Sequence, residues 1–312
     1  MLIDTRTLPK DERTYLELGA LYERNGYALY KMKKFEEYSL YVDNRNFLGS
    51  ESVLTFQGFG GKLMALKPDV TLSIVKNARV PEDRPLRLYY RESVYRTERG
   101  GTDFKEINQM GLECIGALDG EDVRGICALA AESLSVIDPD FIFSVSHMGY
   151  ISALLDECGV RDAAARKKVT DCIRSRNAHD LASAAGEGAD TEKIARILRA
   201  GTEFSSALEI LRAASAGEGT RAAADELAAL YESFADAPYR DRIRLDLSIV
   251  NDVDYYTGII FQGYVARVPK MILSGGRYDG LLSRIGRTHN AMGFALNLGE
   301  LNVYYPREKE EA

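Results

Sequence analysis

Lys105-Glu106-Ile107-Asn108-Gln109-Met110-Gly111-Leu112-Glu113, preceded across a short gap by Arg96-Thr97-Glu98-Arg99, alternates polar and apolar side chains like two strands joined by a loop. On an ideal strand Glu106, Asn108, Met110 and Leu112 share one side, while Ile107, Gln109, Gly111 and Glu113 share the other. Gln109 and Glu113 then point the same way, and Arg96 reaches the same floor from the partner strand. A face carrying an amide, a carboxylate and an arginine suits a polar small molecule better than a hydrophobic core. A solvated sheet face with ordinary cross-strand ion pairs accounts for the same residues. The segment alone leaves both readings open.

Outward from this segment the chain reads as a mixture of strands and helices. Tyr15, Leu18 and Tyr22 give one apolar helical stripe that Asn25-Gly26 is suited to end. Val53 to Phe56 and Leu86 to Val94 read as strands, and Pro68-Asp69-Val70-Thr71 as the start of a helix running through Val75. Val123, Ile126, Cys127, Ala130 and Leu134 predict a second amphipathic helix, and Phe141 to Val145 a buried strand. Between Ile151 and Arg240 the composition shifts to 22 alanines and one proline, which predicts several helices with short turns. Strand patterns return at Ile243-Leu245-Leu247-Ile249, Gly258 to Phe261 and Met271 to Leu273, followed by a helix around Tyr278 to Ile285. The expected architecture is α+β: residues 1–150 and 241–312 form one discontinuous unit with antiparallel neighbours, interrupted by a helical insertion at 151–240.

Composition narrows the function classes. The chain is 46% hydrophobic and 28% charged, with no apolar run long enough to span a bilayer, and Met1 to Asp4 lack the pattern of a signal peptide, so a cytoplasmic protein is expected. A net charge of −7 argues against nonspecific nucleic-acid binding. The four cysteines form no CxxC pair and the three histidines are far apart, so neither a metal site nor a cofactor is expected.

Four segments then occur in a telling order: Leu66-Lys67-Pro68-Asp69-Val70-Thr71, the Arg96 to Glu113 stretch, Asp254-Tyr255-Tyr256-Thr257-Gly258, and Gly275-Gly276-Arg277-Tyr278-Asp279-Gly280-Leu281 with Gly293-Phe294-Ala295 behind it. Together they resemble the catalytic domain of histidyl-tRNA synthetase, a class II aminoacyl-tRNA synthetase. The resemblance implies a six-stranded antiparallel sheet flanked by helices, with a histidine pocket on the sheet. By the resemblance, Asp69 and Glu113 face the histidine ammonium, Thr71 and Gln109 are hydrogen-bonding neighbours, and Tyr256 and Tyr278 line the side-chain pocket. Acceptors offset an ammonium's lost hydration, and tyrosines supply an apolar body with a polar tip. Plain core packing for the two tyrosines, and a helix-start role for Asp69, stand beside these roles.

The departures from that pattern decide the expected function. Adenylate formation spreads negative charge that fixed cations must meet. By the resemblance, Asn251 and Glu300 occupy positions where a synthetase carries arginines, and Arg96 is the remnant of the nucleotide site, with Asp103 near the displaced loop arginine. A carboxylate in a phosphate clamp repels what the site must attract. Lys33 stands where motif 1 carries a proline, and the stretch after Glu300 is too short for an anticodon-binding domain. A retained amino-acid pocket without adenylation resembles the family of ATP phosphoribosyltransferase regulatory subunits, which act in histidine biosynthesis. That resemblance implies a non-catalytic subunit, required by the short catalytic subunit and helping histidine to regulate the pathway. It implies a hetero-octamer built with that partner, self-association as a dimer, histidine as ligand, and no tRNA. The alternatives are a divergent synthetase-like enzyme that still activates an amino acid with ATP, and an interaction protein whose pocket is vestigial.

Overall fold

The computed structural model describes residues 7–43, 53–97, 103–250 and 256–305. Helix α1 (Lys10–Arg24) buries Tyr15, Leu18, Leu21 and Tyr22 on one stripe, and Gly26 turns the chain away with φ 81°. Strand β1 (Ala28–Leu29) follows, then β2 (Phe35–Glu37), helix α2 (Ser39–Asp43), β3 (Thr55–Gln57) and β4 (Leu63–Leu66). Helix α3 (Thr71–Asn77) leads to the long strands β5 (Leu86–Thr97) and β6 (Phe104–Gly116). Helix α4 (Gly120–Ile137) starts with a capping box: Asp119 accepts from the Glu121 and Asp122 amides, and Asp122 accepts from the Asp119 amide. Strand β7 (Phe141–His147) runs directly into α5 (Met148–Glu157). Five further helices follow: α6 (Ala163–Arg174), α7 (Leu181–Ala185), α8 (Thr191–Leu198), α9 (Phe204–Ala214) and α10 (Glu218–Ser233). The chain closes with β8 (Ile243–Leu245), β9 (Ile259–Val265), β10 (Leu273–Arg277), α11 (Asp279–Arg284), β11 (Asn290–Asn297) and α12 (Leu301–Tyr304).

The main sheet has the order β1-β5-β6-β11-β10-β9-β7-β8. Its central six strands are antiparallel throughout. The short edge strands β1 and β8 pair parallel with β5 and β7, so the sheet is mixed rather than purely antiparallel. Strands β2, β4 and β3 make a second, antiparallel sheet. One face of the main sheet, with Leu112, Phe294, Phe261 and Val145, packs with α1 and α4 in the larger core. The opposite face, with Leu88, Tyr90, Val94 and Ala291, meets α3 and the small sheet in a second core. Among the described residues no helix is long and apolar enough to cross a membrane.

Three strand boundaries differ from the alternation in the sequence. Ile243 to Ile249 alternates throughout, but the strand ends at Leu245 because Asp246 Oδ1 accepts from both the amide and the hydroxyl of Ser248, closing a local turn. The strand expected at Val53–Phe56 runs at Thr55–Gln57, and that expected at Met271–Leu273 begins only at Leu273.

Helices α5, α8 and α10 are joined by one carboxylate. Glu157, at the end of α5, accepts from Lys193 Nζ, Thr220 Oγ1, the Gly217 amide at 2.8 Å and the Ala216 amide at 3.3 Å. Burial alone would push this carboxyl up, but those hydrogen bonds outweigh it and hold it down at about 2. Glu157→Gln is expected to cost roughly 2 kcal/mol at pH 7, the scale of charge-assisted hydrogen bonds. Because the folded carboxyl titrates below its unfolded value, the contribution is present above pH 4.5 and lost as pH falls towards 2. The gap in melting temperature between wild type and variant, followed by circular dichroism, is therefore expected to narrow from pH 7 to pH 3. Equal melting at pH 7 would remove the network from the stability of these helices.

Candidate functional site

The register of the central strands assembles the site. Antiparallel partners share a face, so Leu88, Glu113, Gly293, Gly276, Ile260 and Ser146 form one row across six strands. The next rows along hold Tyr90, Gly111 and Ala295, then Glu92, Gln109 and Asn297. Arg96 is paired with Lys105 and so lies on this same face, farther along β5.

Glu113 is the centre of the arrangement and is only 1% exposed. Thr71 Oγ1 donates to its Oε1 at 2.6 Å, and the Tyr278 hydroxyl donates to its Oε2. A Cβ on Gly293 would lie 2.0 Å from that Oε2, so the neighbouring strand must carry glycine for the carboxylate to fit. Burial pushes the Glu113 carboxyl up to about 8; the two hydroxyl bonds pull it down, and the nearby Asp69 adds to the upward push.

Local structure explains how the partners arrive. Asp69 Oδ1 accepts from the Leu72 amide at 2.8 Å, which starts α3 and sets Thr71 over Glu113. Asp69 thus has the helix-start role as well as a half-exposed position beside the site. Tyr278 is aimed by its neighbours: Asp279 accepts from Arg277 Nε, Asn290 Nδ2 and the Ala291 amide, pinning the start of α11 to β11. Tyr256 is partly buried and packs against both cores.

Thr71, Glu113 and Tyr278 are therefore in direct contact. Gln109 is not: it sits four residues along β6 from Glu113, about 13 Å at ordinary strand rise, and donates to Asn297 Oδ1 at 2.8 Å. Between them Tyr90 lies over Gly111, where a Cβ would be 2.5 Å from its hydroxyl. The Tyr90 phenol is driven well up by burial and by the Glu113 and Asp69 charges, with Arg96 acting the other way. Glu300 stands just before α12 and pairs with Lys270 at 3.2 Å. Lys33 is exposed between β1 and β2. Asn251 lies outside the described residues.

The structure adds residues the motifs did not single out. Lys67 is fully buried and pairs with Glu92 at 2.8 Å, on the row of Gln109. The Tyr41 hydroxyl is buried without a hydrogen-bond partner among the described residues, close enough to Asp69 to feel its charge. Tyr90 and Glu92 carried a usable signal, having the same strand parity as Arg96. Tyr41 carried none. Among the described residues no cluster of three or more histidine, cysteine or acidic side chains is placed to hold a metal.

A family profile described as Histidyl-tRNA synthetase matches residues 6–301. The ATP phosphoribosyltransferase regulatory subunit of Geobacillus thermodenitrificans is 32% identical over 291 residues, covering 89% of this chain and 72% of that protein. The chain belongs to the histidyl-tRNA synthetase-like family of ATP phosphoribosyltransferase regulatory subunits. Two solved structures share its fold. An ATP phosphoribosyltransferase regulatory subunit/histidyl-tRNA synthetase from Bacillus halodurans has a TM-score of 0.79 at 24% identity, over 96% of this chain and 80% of the other. An ATP phosphoribosyl transferase (HisG:HisZ) complex from Thermotoga maritima has a TM-score of 0.73 at 18% identity, over 92% and 97%. As a regulatory subunit, this family member has a synthetase's sheet without being an enzyme.

The raised Glu113 carboxyl has a measurable consequence. Its folded value of about 8 lies above the ordinary 4.5, so its contribution to stability is fully present below pH 4.5 and lost as pH rises through 8. Glu113→Gln removes that titration. Urea unfolding is expected to give similar stabilities at pH 5 and a more stable variant at pH 9. A wild-type curve parallel to the variant's over this range would show that the carboxyl is not held neutral by burial.

Proposed function

We propose that this chain is the histidine-sensing partner of a short ATP phosphoribosyltransferase catalytic subunit. In this reading the catalytic subunit requires it for the first step of histidine biosynthesis, and histidine bound here inhibits that step. The observation that carries the reading is the buried Glu113 carboxyl with its Thr71 and Tyr278 donors, beneath the half-exposed Asp69. A carboxylate has about four lone-pair positions, so two hydroxyl donors leave capacity for an ammonium. Asp69, Thr71 and Tyr256 form the accessible side of the pocket, Glu113 and Tyr278 its buried floor, and Gln109 its far end. The chemistry of joining ATP to phosphoribosyl pyrophosphate belongs to the partner. Glu300, paired with Lys270, offers no cation to a triphosphate, in keeping with recognition without adenylation.

The relatives' names and the two-component complex from Thermotoga maritima support the partnership. We place the chain in a hetero-octamer with the catalytic subunit, self-associated as a dimer. Histidine acts through differential affinity for two states of that assembly.

The test is activity of the short catalytic subunit with and without this chain. Activation on mixing is expected, together with loss of that activation as histidine is added. A catalytic subunit equally active alone would defeat the proposal, and histidine-dependent ATP–pyrophosphate exchange by this chain would establish the synthetase-like enzyme instead.

Histidine binding should also move a proton. An ammonium beside Glu113 lowers a carboxyl that otherwise titrates at about 8, so binding near neutrality releases a proton. Titration calorimetry in buffers of different ionisation heat is expected to show that release, with affinity rising from pH 6.5 to 8. Binding without proton release, and insensitive to Glu113→Gln, would move the ligand elsewhere.

A further inference from the structure

Ser146 and Gly276 belong to the Glu113 row, so His147 and Arg277, one residue on, point to the opposite, helical face of the sheet. His147 is buried at the junction of β7 and α5, and its ring makes two contacts. Nδ1 accepts from the Tyr150 amide at 3.0 Å and caps α5, while Nε2 meets Glu226 Oε2 of α10 at 2.9 Å. A backbone amide only donates, so Nδ1 is an acceptor, the ring proton is on Nε2, and Nε2 donates to Glu226. A cap needs one acceptor, which serine, asparagine or aspartate supplies with a smaller side chain. The imidazole adds a second nitrogen, and that nitrogen holds α10. This hydrogen bond keeps the Glu226 carboxyl below its ordinary value despite burial, and the Arg277 charge is near enough to add to the effect.

The same junction grips the segment that carries Tyr256. The Met148 amide donates to the Gly258 carbonyl at 2.9 Å. A Cβ on Gly149 would lie 3.0 Å from His147 Cε1 and 3.1 Å from the Thr257 carbonyl oxygen, so the ring and the Thr257 peptide close on this glycine from two sides. The Thr257 amide in turn donates to the Arg277 carbonyl at 3.0 Å. Tyr256 is the neighbour of one end of that bond, and Tyr278 the neighbour of the other. Arg277 is held as well: its Cδ would be 3.1 Å from a Cβ on Gly258, and its Nε donates to Asp279. Glu226, His147, Thr257 and Arg277 thus form one continuous set of contacts, from α10 to the backbone between the two tyrosines of the proposed pocket.

We infer that His147 and Glu226 are positioning residues: from the helical face they fix the Thr257–Arg277 backbone bond, and so set Tyr256 against Tyr278 on the pocket face. Given the proposed histidine site, on which this rests, α10 is the helix whose position is tied to ligand affinity. Three substitutions separate that tie from folding. His147→Asn keeps a cap acceptor and loses the nitrogen that meets Glu226. Glu226→Ala removes the same contact from the partly exposed partner, and Glu226→Gln keeps an acceptor oxygen there.

The experiment combines nuclear magnetic resonance, hydrogen exchange and calorimetry on the full chain. Nitrogen–proton correlation of the histidine rings is expected to place the His147 proton on Nε2; a proton on Nδ1 would overturn the arrangement. Glu226→Ala is expected to melt within about 3 °C of wild type, as partly exposed substitutions do. In it and in His147→Asn the Thr257 and Met148 amides are expected to exchange about tenfold faster, with α6 unchanged. Histidine affinity is expected to fall about tenfold in each, with the double variant no weaker than either single and Glu226→Gln retaining most of the affinity. Additive losses, unchanged exchange at Thr257, or faster exchange with undiminished affinity would overturn the inference. A wild-type chain that gives no histidine heat would fail the pocket reading, whereas exchange at Thr257 across the singles and the double variant judges the positioning by itself.

Discussion

The row Leu88–Glu113–Gly293–Gly276 is the constraint from which the rest of the site follows. A carboxylate can stand on the face of this sheet only where the next strand presents no side chain, and Gly293 supplies that gap. Strand pairing has a period of two, so a slip of one residue in β11 would set Met292 or Phe294 against Glu113 and turn an apolar face outward. Register, glycine and carboxylate are therefore one feature. Thr71 and Tyr278 then complete it from α3 and from the β10–α11 junction, elements distant in sequence that no local pattern connects.

Two carboxylates show how differently the fold uses the same group. Glu157 meets a lysine, a threonine hydroxyl and two backbone amides, and is held at about 2. Glu113 meets two hydroxyls and a second carboxylate nearby, and is pushed up to about 8. Burial acts upward on both, far more heavily on the enclosed Glu113 than on the partly exposed Glu157, and the charged and amide donors around Glu157 add to the difference. Glu157 ties helices together and has its acceptors occupied. Glu113 stands close to neutrality at physiological pH, where a modest change in its surroundings shifts its charge. The first arrangement is what structure needs; the second leaves a group whose charge responds to what is placed beside it.

Much of the fold was legible because periodicity and punctuation agree. The stripe of Tyr15, Leu18 and Tyr22 with its Asn25-Gly26 ending is α1, and the alanine-rich composition after Ile151 corresponds to a run of helices. The parity of Arg96, Gln109 and Glu113 correctly puts all three on one face. Parity gives no distance along the strand, however, and Gln109 is separated from Glu113 by the breadth of the Tyr90–Gly111 row. Nor does alternation mark where a strand stops: Ile243 to Ile249 continues the pattern past Asp246, whose side chain ends the strand by bonding Ser248. Edge pairing was illegible for a related reason, since β1 and β8 are too short to have a pattern.

Lys67 and Glu92 extend the same logic to the other end of the site. An ammonium with no exposed surface is tolerated only beside an opposite charge, and Glu92 is set to provide it by its place opposite Gln109. Removing either partner would strand a charge, whereas together they fix the Leu66–Thr71 link against β5. That link carries Asp69 and Thr71. The buried pair therefore acts on the candidate site through geometry: it holds the segment whose next residues reach Glu113. The face that looks like a row of separate polar side chains is thus tied at both ends, by Lys67–Glu92 at one and by Thr71 and Tyr278 on Glu113 at the other. A ligand between them would meet positions already set by the fold.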